Sequence, residues 1–315
     1  MYIEEAFKVK HDWWRYIIGL VLAFIGWQMI GLIPLTLVAF SKSNGIEHFI
    51  KAAENSFTDL DIDPNLFLVL VIIGFAIGLL GLLLAVKYIH EQKIISLTTS
   101  RSKVDWKRIW FSFFMVIILN LTLFLISYVT EPEIYELNFK VMPFVILLII
   151  SIFLLPLQTS FEEYLFRGYL MQGIGVLAKN RWLPLLLTSV MFGLLHGFNP
   201  EVAKLGNIMM IYYIGTGFLF GVMTLMDEGM ELALGFHAAN NMLAAILVTT
   251  DWSAFQTDAI FKDISEPSAG LDIMLPIAIQ YPIIIFILAK KYKWSGWKEK
   301  LTGSVTPESV THINN

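Results

Sequence analysis

Two adjacent carboxylates, Glu162 and Glu163, with the guanidinium of Arg167 shortly after, follow the apolar stretch 141–157. Ionisable side chains at membrane depth cost about 2.5–3.5 kcal/mol each on insertion scales, so they turn to a protein interior and mark a pathway or a reaction site. Residues four apart on a helix share a face, which pairs Glu163 with Arg167. Glu162 is rotated by about 100° and is left free to take a proton from water. The bland alternative is a structural cluster in which all three charges hold one helix in place.

Two of the six histidines, His196 and His237, fall in apolar segments, whereas His11, His48, His90 and His312 fall in polar loops or termini. His196 ends the run 191–196, with Phe192 one turn earlier on the same face. Alone, a histidine there is more often structural. His237 has Asn241 one turn on, in a segment otherwise built of Ala, Leu and Phe, and Asn240 is a weaker candidate for the same partnership. A histidine and an amide on one face can both donate hydrogen bonds to a developing oxyanion. They can equally serve as polar glue between helices.

In order, Glu162-Glu163-x-x-x-Arg167, Phe192-x-x-x-His196 and His237-x-x-x-Asn241 resemble the three motifs of the CPBP intramembrane proteases, the group that contains the CAAX prenyl endopeptidases and the bacterial Abi proteins. The resemblance covers residues 161–241. It implies that Glu162 and His196 activate a water against a peptide carbonyl, that His237 and Asn241 stabilise the oxyanion, and that Glu163 and Arg167 support them. Zinc held by Glu162, His196 and His237 is the alternative, but no His-Glu-x-x-His helix is present, and zinc would leave only Glu163 as base. A metal-free reaction without a cofactor is the expectation. The expected function is therefore an intramembrane endopeptidase acting on a membrane-anchored peptide or protein. A non-catalytic scaffold or bacteriocin-immunity-type protein, and a proton-coupled transporter, are the competing readings.

The elements that must position these groups are membrane helices, because 57% of the residues are hydrophobic and 15% charged, far from soluble usage. Apolar runs long enough for a hydrocarbon core satisfy their own backbone hydrogen bonds as helices. Eight are read, at 16–40, 66–89, 109–129, 141–170, 182–196, 205–226, 231–248 and 271–289. The expected fold is all-α: a single polytopic bundle over 1–294, with its catalytic core at 141–249 and a polar, mobile cytoplasmic tail at 295–315. Pro156, Gly193 and Gly197 are expected places for irregular backbone, which must bring His196, about 20 Å deep by helical rise, to the shallower Glu162 and His237.

Loop charge sets the orientation. The loop 87–108 and the segment 290–300 are rich in Lys and Arg, while the loops 41–65, 130–140 and 250–270 are mostly acidic, which puts both termini in the cytoplasm, at a bacterial inner membrane. The acidic hairpin 227–231 is the misfit on the cytoplasmic side. With the glutamates counted near the cytoplasmic end of their helix, substrate is expected from the cytoplasmic leaflet. The absence of cysteine excludes disulfides, thiol catalysis and thiolate metal sites. No phosphate-cradling glycine loop is present and no nucleic-acid partner is expected. The sequence leaves the oligomeric state and the substrate's identity open.

Overall fold

The structure, a computed structural model, describes residues 1–254, 256–268 and 270–307. Its frame is a bundle of helical passes: α1 Trp13–Lys42, α2 Pro64–Tyr88, α3 Trp106–Thr130, α4 Val141–Ala178, α5 Trp182–Phe198, α6 Met209–Asp227, α7 Glu231–Leu247 and α8 Ile273–Tyr292. Six are long and apolar enough to cross a membrane; α5 is shorter, and α7 has 17 residues. Each expected span thus has its helix. Local chemistry sets several starts. The Asp63 carboxylate accepts from the Leu66 amide ahead of α2, where Pro64 occupies the first turn, and Asp105 caps α3 through the Lys107 amide.

Contacts between connecting segments define two ends. At one lie the short helix Ile3–Lys8, the loop 89–105, the turn 179–181, the hairpin 228–230 and the last described residues. They are tied by Tyr2 to Leu97, Thr99 to Gly229, and Asn180 to Ser304. At the other lie β1 Tyr135–Leu137, β2 Val248–Thr249 and β3 Phe261–Asp263, in the order β1-β3-β2, together with Asn65, which donates to Asp258 and to the Pro143 carbonyl. The described chain therefore passes between the ends eight times, with its first and last described residues on one side.

The acidic hairpin loses its awkwardness here. Asp227 pairs with Arg108 at 2.6 Å and Arg101 at 3.0 Å, Glu231 with Arg101 at 3.1 Å, and Glu228 with Lys300 at 3.4 Å. It lies at the end where the basic loop lies because it is neutralised by it. The expectation of a mobile tail needs correction as far as residue 307. The helix Trp297–Thr302 packs on α6, the Lys300 ammonium donates to the Met226 carbonyl, and Val305 is fully buried. Residues 308–315, including His312, lie outside the described residues. His90, read as a loop histidine, is fully buried and bonds the Lys10 carbonyl and the Tyr169 hydroxyl.

Candidate active site

α4 is not one straight rod. Its first stretch ends at Phe153, and the next runs Leu155–Glu163 with Pro156 in its first turn, a residue with no amide to donate to the preceding turn. Immediately after the glutamates the helix widens into a π turn, Tyr164–Leu170, of the kind found inside α-helices at functional sites. Pro156 thus marks an irregularity as expected. Gly193 does not: α5 continues through it, and a Cβ there would stand 2.4 Å from the Ile214 side chain, so this glycine serves the close approach of α6. The helix instead tightens at His196–Phe198 into a 3-10 turn.

His237 on α7 stands between the two glutamates. Its Nδ1 lies 2.8 Å from Glu163 Oε1, and its Nε2 lies 3.7 Å from Glu162 Oε2. The Glu163 carboxylate also accepts from the Arg167 guanidinium at 3.1 Å, so it is shared between the arginine expected from helical spacing and a histidine from another helix. Glu163 and Arg167 are completely buried. Arg167 donates in addition to the Gly217 carbonyl at 3.2 Å and lies over the Phe192 ring at 4.3 Å, a cation–π contact in a desolvated setting. Gly217 is required for this. A Cβ at that position would be 2.6 Å from the Ser189 carbonyl oxygen.

Glu162, 6% exposed, accepts from the Gln158 amide through Oε1, while Oε2 is buried without a hydrogen-bond partner. Gln158 belongs to a directed chain. Gln280 donates to Asn120 at 3.4 Å, Asn120 to Asn240 at 3.4 Å, Asn240 to Asn241 at 3.3 Å, Asn241 to Gln158 at 3.1 Å, and Gln158 to Glu162. Five amide donors thus point in sequence toward one carboxylate, an arrangement in which each hydrogen bond polarises the next. Asn241 spends one of its two amide hydrogens on Gln158 and keeps the other.

His196 Nδ1 lies 2.8 Å from the Phe192 carbonyl, and the ring stacks on Tyr213 at 4.3 Å and 22°. With its hydrogen on Nδ1, the ring presents Nε2 as an acceptor. The Tyr213 hydroxyl donates to Glu201, which also accepts from Asn199 at 3.0 Å and from the Ala254 amide at 2.9 Å. Glu162, His196, His237 and Asn241 line one cavity of about 680 Å³. No hydrogen bond joins His196 to the other three. Phe192 stands between the histidines, its ring 4.8 Å from His196 and 5.9 Å from His237. Among the described residues no three His, Asp or Glu side chains are gathered as a metal ion requires. Glu162, His196 and His237 therefore do not fit a single zinc ion in this arrangement.

Glu162 and His237 do lie toward the end that carries the termini, but they form the floor of the cavity, which extends toward the strands and is walled there by Asn199, Thr250 and Trp252. Sequence reading missed Gln158, although the same four-residue rule that paired Glu163 with Arg167 would have placed it beneath Glu162. It also missed Asn120, Gln280, Tyr213 and Glu201, whose roles arise across helices.

Residues 140–243, which hold all three motifs, match the family described as type II CAAX prenyl endopeptidase Rce1-like. The chain is also 34% identical over 249 residues to the uncharacterized protein YyaK of Bacillus subtilis (strain 168), covering 77% of this chain and 80% of that one. It belongs to the Rce1-like family. The apolar helices and the family together make it an integral membrane protein. No solved structure matches it.

Proposed function

We propose that the protein is an intramembrane endopeptidase that hydrolyses a peptide bond of a membrane-anchored protein or peptide, with Glu162 as general base. The observation that carries this reading is the buried Oε2 of Glu162: its companion oxygen is held by Gln158, and it faces the cavity and His237 with no hydrogen bond of its own. Such an oxygen is placed to take a proton from water as the water attacks a carbonyl, and to return it to the leaving amine. His196, with Nε2 unoccupied, offers a second acceptor for the same water from the cavity wall.

The free amide hydrogen of Asn241 stabilises the oxyanion. His237 joins it only in the doubly protonated form, because its Nδ1 hydrogen is committed to Glu163; as neutral imidazole its Nε2 is an acceptor. Glu163 and Arg167 position that ring. The reaction uses no metal, and the protein sits in a bacterial inner membrane with both termini cytoplasmic. The deciding experiment places the purified protein in lipid with membrane-anchored peptides and looks by mass spectrometry for cuts. Cuts that vanish in Glu162→Gln support the assignment, and equal cutting by that variant defeats it.

A further inference from the structure

The cavity is closed toward one end of the bundle. Between its floor and the end that carries the first and last described residues lie Leu97, Met223, Met230, Leu232 and Ala233, each 1% exposed or less. The Glu163–Arg167 pair is fully buried beside the floor. Toward the opposite end the walls are continued by connecting segments rather than helix cores: Asn199 and Glu201 after α5, and Thr250, Trp252 and Ala254 after β2. These two segments meet where the Ala254 amide donates to Glu201.

A second cavity, of about 350 Å³, gives an independent sign of direction. It shares Asn120, Asn240, Ala244 and Val248 with the first, and its remaining walls include Leu123, Phe124 and Leu247. Those residues belong to the halves of α3 and α7 nearest the strands. Both the main cavity and its apolar side groove thus extend into the same half of the bundle.

We infer that the substrate is admitted from the end of the bundle that carries the strands, its apolar anchor resting in the groove between α3 and α7. With the basic loop 87–108 held at the cytoplasmic face, that end is extracytoplasmic. The substrate class is then a peptide or membrane protein whose cut lies at the outer leaflet, not a chain held at the cytoplasmic surface. Only the cutting rests on the endopeptidase reading; the direction rests on the cavity.

The test needs no cleavage. The chain has no cysteine, so Ala244→Cys and Thr216→Cys on the cavity wall, and Ser102→Cys in the basic loop, each give the full-length protein a single thiol. A membrane-impermeant sulfonated thiol reagent is added to right-side-out and to inverted vesicles, and unreacted thiol is counted after denaturation. The cavity thiols are expected to be modified in right-side-out vesicles and spared in inverted ones, with the reverse for Ser102→Cys. Modification of the cavity thiols from the same face as Ser102→Cys overturns the inference, and so does failure of both to react from either face. Cavity thiols reached from inside while Ser102→Cys reacts from outside overturn the outer-leaflet substrate. Two variants on different helices guard against one that does not fold, and an absence of proteolysis leaves every one of these readings intact.

Discussion

A single imidazole held between two carboxylates organises the chemistry of this site, and each carboxylate has a different second partner. Glu163 is neutralised by Arg167, and Glu162 is held by a neutral amide. Their substitutions should therefore separate. Glu162→Gln is expected to abolish cleavage with little change in thermal unfolding. Glu163→Gln strands a buried guanidinium, which costs about 3–5 kcal/mol, and should lower the unfolding temperature as well as activity. Unfolding scans and cleavage assays on both variants check this, and equal thermal losses would break the distinction. Asn241→Ala should slow turnover by about 10² to 10³, the usual loss of one oxyanion donor, as measured by initial rates. Activity should survive exhaustive chelation, with less than one zinc found per chain by metal analysis. A zinc whose removal and return switch turnover off and on would reverse the metal-free assignment. The pairing of Glu163 with Arg167 was legible because helical spacing is a local rule. The partnership of Glu163 with His237 was not, because it joins residues 74 apart in sequence.

At the scale of elements, the helices were legible wherever the apolar run was long, since lipid forces the backbone to satisfy itself. The three strands, of two or three residues each, are too short to leave a period in the sequence. The docked segment after Ser295 was missed for another reason: polar composition suggested solvent, but the apolar side chains of Leu301 and Val305 and backbone bonds from Arg181 to Gly303 and from Val305 to Lys179 fix it. Close helix approach supplies a prediction. Gly217→Ala drives a methyl into the backbone of α5 and should destabilise by about 1–3 kcal/mol, the usual cost of overpacking, while displacing the carbonyl that Arg167 uses. An unchanged unfolding temperature would refute it. His90 supplies a second. Desolvation holds its ring below the usual imidazole range, so the folded state keeps it neutral. The unfolded chain then binds the proton first: stability is whole above about pH 6.5 and falls as pH drops toward the lower folded value. The loss of thermal stability between about pH 7.5 and 5.5 should shrink in His90→Gln, and an equal loss in both proteins would remove His90 as its source.

For the whole molecule, loop charge and packing agree on which segments share an end, and the acidic hairpin that troubled the charge count is bound there by Arg101 and Arg108. Cysteines at Asn44 and Ser268 should label from outside, and those at Ser102 and Ser304 should not; labelling of Ser102→Cys in intact cells would invert the molecule. The direction in which the cavity extends was not legible from depth, because counting residues from helix ends locates a side chain and says nothing of the layer that seals it. The line of amides from Gln280 to Glu162 has a consequence for descent. It draws on α8, α3, α7 and α4, so a lineage that replaces Asn120 by an aliphatic residue leaves Gln280 with an acceptor lost and Asn240 with a donor lost, both partly buried. Drift at one link favours drift at its neighbours. Positions 120, 158, 240, 241 and 280 should therefore be inherited as a block, kept together in some branches and surrendered together in others. A family tree in which they vary independently would show that selection does not see the chain.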